Sequence, residues 1–210
     1  NKNIALIGPF ADSGDILGPW SALGVREEAV TLKQAFEKHL PTNQFTVDTG
    51  CHVETITPQQ LDEAVQAASK ADVIVVAVGE DSDMSGEAGC RTNIQLPAPQ
   101  LELLKALATC GKPIITLLFN GRPLDLHGVI EYSDAVLEAW YPGSEGGNAL
   151  VDLLYGVTIP SGKLTMSFPD NVGQVPVYYN HFNTGRPQGV PDAQERYVSQ
   201  YLDAPNDPLF

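Results

Sequence analysis

Positive charge is scarce in this sequence: 12 Lys and Arg stand against 26 Asp and Glu, a formal net charge of −14 over 210 residues. A protein that grips phosphate backbones needs a basic face, so no nucleic acid partner is expected. Cysteine is scarce as well. Cys51, Cys90 and Cys110 are too few, and odd in number, for a disulfide framework. The four histidines, His39, His52, His127 and His181, lie far apart, and neither Cys-x-x-Cys nor His-x-x-x-His occurs, so we expect no metal site and no cofactor. The first strand is followed by no GxGxxG and no Gly-Lys-Ser/Thr, which sets aside a phosphate loop. The absence of a Gly-x-Ser-x-Gly elbow argues against a serine hydrolase triad. No apolar run approaches the length of a membrane span. Carboxylates are the chemistry that remains.

With 43% apolar residues the chain can bury a full core. One α/β domain over residues 1–169, with an irregular tail over 170–210, fits better than two domains. Val73–Val78, after Asp72, and Ile114–Phe119 are apolar at consecutive positions, the pattern of central parallel strands covered on both faces. Ala135–Trp140 reads as a third such strand, and Asn3–Gly8 and Phe45–Asp48 as two more. Between them Ala29, Leu32, Phe36 and Leu40 mark one face of a helix stopping at Pro41. Thr57-Pro58 opens a second helix, with Leu61, Ala64, Val65 and Ala68 inward. A third spans Pro99–Thr109, with Leu101, Leu104 and Ala108 on one side and Gly111 as its left-handed cap. A last helix turns Leu150, Leu153 and Leu154 inward.

This alternation predicts a three-layer α/β/α sandwich, with a mostly parallel sheet of about six strands, helices on both faces and the polar loops at one edge. Lys163–Phe168 alternates like an antiparallel edge strand. Residues 170–210 lack periodicity and are expected to run as an extended tail toward a following domain. The chain opens directly on a strand with no charged and apolar leader before it, so we expect a piece of a longer polypeptide.

The stretch Gly79–Asn93 follows the most apolar run and is itself polar, carrying Glu80, Asp81, Asp83, Glu87 and Arg91. Ligands of parallel sheets collect at such strand ends, and carboxylates there suit sugar hydroxyls or ammonium groups. Five groups of residues then occur in order: Val78-Gly79-Glu80; Ser85-Gly86-Glu87-Ala88 with Arg91-Thr92; Asn120-Gly121-Arg122-Pro123; Trp140-Tyr141-Pro142-Gly143 with Glu145-Gly146-Gly147; and Pro160-Ser161-Gly162-Lys163-Leu164. With Gln174–Tyr179 and Asn183–Pro187 they resemble the second domain of glycoside hydrolase family 3, of the bacterial β-glucosidase type. The resemblance covers nearly the whole chain.

It implies an α/β sandwich beside a preceding (β/α)8 barrel that is absent from this chain, since a barrel needs about 250 residues. It also implies hydrolysis of β-linked glucosides or oligosaccharides with retention, by an aspartate on the barrel and a glutamate acid/base on this domain. The position matching that glutamate is Glu87. The common Glu-Ala-Ser-Ser-Arg of the family reads Glu-Ala-Gly-Cys-Arg here, without hydroxyls at Gly89 and Cys90. Retaining hydrolysis requires two carboxyl groups about 5 to 5.5 Å apart, so the isolated chain is expected to be inactive.

Two readings stand for each residue. Glu87 is a general acid favoured when the barrel excludes water, or a solvated loop acid. Arg91 orients Glu87 or a neighbouring carboxylate, or forms a surface ion pair. Trp20 stacks on a sugar ring, or packs in the core or between domains. Glu80 is a structural or solvated acid and the alternative to Glu87; Asn120, Arg122 and Glu145 shape the strand-end loops. The alternative for the whole chain is a non-catalytic, flavodoxin-like module that binds a ligand or partner. Proteins similar to it are often periplasmic or secreted, and a cytoplasmic location stays open.

Overall fold

The computed structural model describes residues 2–188 and 197–210. Five strands form one sheet: β1 Ile4–Ile7, β2 Phe45–Asp48, β3 Val73–Gly79, β4 Ile114–Phe119 and β5 Ala135–Glu138. Their order is β2-β1-β3-β4-β5, and every neighbouring pair is parallel. Four helices cover it: α1 Leu32–His39, α2 Pro58–Ser69, α3 Ala98–Ala108 and α4 Gly146–Leu154.

β3 shows why both faces are apolar. Ile74, Val76 and Val78 enter one core with Ala64 and Ala68 of α2 and Leu103, Leu104 and Leu107 of α3. Val75 and Ala77 enter the other, with Leu32, Ala35 and Phe36 of α1 and Leu150 and Val151 of α4. Side chains alternate across a strand, so a strand between two helical layers needs apolar residues at every position. The strand order reverses direction between β1 and β3, where open α/β sheets form a crevice at their carboxyl ends.

The helix ends follow their caps. Thr31 and Gln34 form a reciprocal capping box that starts α1 at Leu32; Ala29, expected inside this helix, is buried just before it. Thr57 and Gln60 form the same box at α2, with Pro58 as its first residue. In α3 the inward face is Leu103, Leu104 and Leu107, whereas Leu101 and Ala108 are only partly buried at its rim.

Two expectations about the sheet need correction. Among the described residues it has five strands where about six were expected, and Lys163–Phe168 is not among them. The backbone at Phe168 bonds instead to the chain's last residues: its N–H donates to Phe210 O at 2.9 Å, and its carbonyl accepts from Leu209 N at 2.8 Å. β5 therefore forms an edge, and its Val136 is exposed, contrary to the fully buried strand its composition suggested. Within the tail the described residues carry one short 3-10 turn, Val172–Gln174, tied by Gln174 Nε2 to Pro205 O at 2.6 Å. Residues 189–196 of the expected tail lie outside the described residues.

The carboxyl end of β3 is held without tolerance. Gly79 has φ +154°, and a Cβ built there would lie 1.7 Å from Phe119 O. The buried Gln100 side chain of α3 accepts from Gly79 N and donates to Gly79 O, both at 2.7 Å. Gly79→Ala should therefore cost about 3 kcal/mol or more, read as a lowered urea midpoint. An unchanged midpoint would mean that β4 gives way to the methyl group.

Candidate functional site

The residue after Gly79 is Glu80, which has no exposed surface. Its Oε1 accepts from Arg91 Nη1 at 2.6 Å and its Oε2 from Arg122 Nε at 3.0 Å. An isolated carboxylate cannot stay charged in such a place, whereas one paired on both oxygens can. Arg122 comes from the loop after β4 and makes further contacts. Its Nη2 donates to Met84 O, to Gly89 O at 2.9 Å and toward Ser85 Oγ at 3.4 Å. One guanidinium thus grips both ends of the segment Met84–Gly89.

Glu87 lies at the exposed tip of that segment. Gly89 N donates to Gly86 O at 3.1 Å, closing a tight turn. Ala88, its third residue, has φ +62°, and Gly86 has φ +95°. A positive φ at this position normally selects glycine, so Ala88 is accepted because the clamp on either side fixes the path. The Tyr141 hydroxyl, from the loop after β5, donates to Asp81 O at 2.8 Å and reaches Glu80 O at 3.3 Å. Burial pushes this phenol up to about 12, so it remains a donor at neutral pH. Asp81 is also raised, first by burial and then by Asp15 and Asp83.

The β1–α1 loop reaches the same place. Asp15 Oδ2 accepts from Ser82 N at 3.0 Å and pairs through Oδ1 with Arg26 at 3.3 Å. This brings Pro19 and Trp20 against the turn: a Cβ built on Gly86 would lie 3.0 Å from Pro19 Cβ and 3.4 Å from Trp20 Nε1. Trp20 is 70% exposed.

The three residues singled out in the sequence therefore take different places. Trp20 and Glu87 are both exposed, and the Trp20 ring lies against Gly86, the residue before Glu87. Arg91 binds Glu80, and among the described residues no hydrogen bond or ion pair joins it to Glu87. Asn120 and Arg122 shape the strand-end loops: Asn120 Nδ2 holds Arg122 O at 2.6 Å. Glu145 caps no backbone but accepts from Asn148 Nδ2 at 2.6 Å in the first turn of α4. Sequence reasoning missed Gln100, Tyr141 and Glu138, for which local pattern offers no signal. Among the described residues, no three His, Cys, Asp or Glu side chains gather as a metal site requires, and no helix is long and apolar enough to cross a membrane.

These elements define a doubly wound α/β domain that presents an acid on a rigid strand-end turn beside an exposed aromatic ring. The chain belongs to glycosyl hydrolase family 3, whose C-terminal domain model matches residues 1–202. It is 44% identical to a periplasmic beta-glucosidase of Salmonella typhimurium, with 99% of this chain and 30% of that protein aligned. It is 35% identical to a beta-xylosidase of Formosa agariphila, over 100% of this chain and 29% of the relative. The crystal structure of the beta-glucosidase from Listeria innocua in complex with glucose superposes with a TM-score of 0.95 at 43% identity, covering 100% of this chain and 29% of that one. The chain thus spans about 30% of the length of these two curated relatives.

The geometry separates support from presentation. Glu80→Gln should destabilise the domain by about 3 kcal/mol, because it leaves two guanidinium groups facing a neutral amide. Glu87→Gln should change stability by less than about 0.5 kcal/mol. Urea unfolding of the two variants side by side checks both; equal losses would mean that the turn, too, is part of the packed structure.

Proposed function

We propose that this chain is the domain of a retaining β-glucosidase that supplies the acid/base, Glu87, to a site shared with a (β/α)8 barrel carrying the aspartate nucleophile. The observation that supports this most is the gripped turn. An acid/base must be exposed to the substrate yet fixed in direction, and Glu87 is exposed at the tip of a turn whose two shoulders are held by Arg122.

In the first step Glu87 donates its proton to the glycosidic oxygen while the barrel carboxylate attacks the anomeric carbon. The leaving sugar departs as an alcohol. In the second, the ionised Glu87 takes a proton from water as that water attacks the glycosyl-enzyme, restoring both carboxyl groups. Glu80 is unsuited to either step, since both its oxygens are buried and engaged by arginine. Arg91 acts through Glu80 as a positioning residue. The exposed ring of Trp20 offers a flat apolar surface to the leaving sugar. The split site makes the 210 residues inactive without the barrel, and the described extension 170–188 and 197–210 leads toward a further domain. Terminal β-linked glucose is the substrate we assign, in keeping with the names of the Salmonella and Listeria relatives. A periplasmic or secreted location accompanies this reading, as the name of the Salmonella relative states for that protein.

The test uses the polypeptide that joins this chain to its barrel. With an activated aryl β-glucoside, Glu87→Ala should form the glycosyl-enzyme and stall, then speed up with azide and release β-glucosyl azide. With a poor leaving group the same variant should lose about 10²- to 10⁴-fold in rate. No stall and no azide product, with the unsubstituted polypeptide active, would make Glu87 an ordinary loop acid and move the role to another loop carboxylate; an inactive unsubstituted polypeptide would favour a binding module. Trp20→Ala should raise KM for β-linked disaccharides up to about tenfold and leave kcat on the aryl glucoside near its original value; an unchanged KM would remove the ring from the site.

A further inference from the structure

Behind the site lies a second acid that the proposed reaction does not use. Glu138, the last residue of β5, sits beside Leu118 of β4. Its Oε1 accepts from Trp140 N at 3.0 Å. Trp140 has φ +51°, an unusual conformation for a bulky side chain, and its ring packs on Phe168 at 5.8 Å. The next residue is Tyr141, whose hydroxyl holds the carbonyls that open the acidic loop. Asn120, the residue after β4, lies next to the Glu138 carboxyl, and its Nδ2 holds the carbonyl of Arg122, the residue that grips the turn. Two arms thus run from one carboxyl to the two supports of the Glu87 loop.

The polar groups there are not fully satisfied. Among the described residues, neither Glu138 Oε2 nor Asn120 Oδ1, both buried atoms, has a hydrogen-bond partner. Each is an acceptor without a donor, and a proton on the carboxyl would supply one.

We propose that Glu138 is a half-buried proton-binding site and a positioning residue for the Glu87 loop, acting through Trp140–Tyr141 on one side and Asn120–Arg122 on the other. Its role in catalysis rests on the acid/base reading of Glu87; its control of the loop does not. The neutral form satisfies Asn120 and fixes both arms. The ionised form loses the donor to Asn120 Oδ1, strengthens the bond from Trp140 N and leaves a charge among Trp140, Phe168 and Leu118, so the two arms are held differently.

Burial raises this carboxyl from 4.5 to about 7, against smaller opposing effects of the bond from Trp140 and of Asn120. Among the described residues the charged groups nearby are Asp134 in one cleft lined by Glu138, Asp152 and Lys163 in an adjoining groove, and, beyond Asn120, Arg122, which is committed to Glu80. None of them is among the causes of the shift. The folded state holds the proton more tightly than the unfolded one, so the associated stability is fully present below about pH 4.5 and is lost as pH rises to about 7.

The experiment places a trifluoromethyl tag on Cys90, which is exposed three residues beyond Glu87, in the polypeptide that includes the barrel. The fluorine resonance should titrate with a midpoint near pH 7 and lose that titration in Glu138→Gln, which imitates the neutral acid. Tyr141→Phe should keep the midpoint and shrink the shift, because it cuts one arm without touching the proton site. On a poor-leaving-group β-glucoside, kcat/KM should lose the corresponding ionisation in Glu138→Gln alone. A tag that does not titrate near neutrality, or one that titrates identically in Glu138→Gln, overturns the proposal. Glu87→Gln separates the two readings: full turnover of the poor-leaving-group substrate in that variant refutes the acid/base assignment, whereas its tag titration still decides the role of Glu138.

Discussion

A carboxylate removed from water and held by two guanidinium groups organises this end of the molecule. Glu80 contributes both oxygens, one to Arg91 and one to Arg122. Burying three charges carries a desolvation cost that the ion pairs largely offset, so their value lies less in net stability than in geometry. A guanidinium has five donors in a fixed plane. Once Arg122 Nε is fixed on Glu80, its Nη2 points at the carbonyls of Met84 and Gly89. The turn between them has little freedom left.

The sheet makes this arrangement possible. β3 and β4 lie side by side in parallel register, with Gly79 opposite Phe119, so the loops that follow them leave the sheet at the same level. Glu80 and Arg122 are 42 residues apart in sequence yet start from adjacent strand ends. Gln100 closes the end of β3 from the helix side, bonding both backbone groups of Gly79. The loop after β1 arrives through Asp15 and Arg26, and the loop after β5 through Tyr141. All the strand-end loops but that of β2 therefore converge on one acidic segment.

What the sequence disclosed followed physical range. The strands β3 and β4 were legible because burial on two faces demands apolar residues at consecutive positions. The helix starts at Thr31 and Thr57 rest on contacts three residues long; that at Thr57 was read and that at Thr31 was placed early, because Ala29 is buried without being helical. The edge character of β5 was hidden, since Ala135–Glu138 has the composition of an inner strand. Lys163–Phe168 alternates as an edge strand would, but its backbone found Leu209 and Phe210. At the site, Glu87 was singled out through ordered family motifs, and Arg122 was read as a loop-shaping residue. The burial of Glu80 was not visible, because an acid in a polar loop looks solvated until its partners are brought in from distant strands. Gln100, Tyr141 and Glu138 were hidden for the same reason.

The clamp has a bearing on how this loop can vary through evolution. Arg122 holds Met84 and Gly89 through main-chain oxygens, which every amino acid possesses. The clamp itself thus makes no demand on side chains, but Gly89 does: a Cβ built there would lie 2.8 Å from the Ser85 carbonyl carbon, so a serine at this position requires a shifted turn, whereas Cys90 is exposed. The path of the turn is therefore written in main-chain contacts and in the small residues Gly86, Ala88 and Gly89, while an exposed position such as Cys90 can change without rebuilding the sheet beneath.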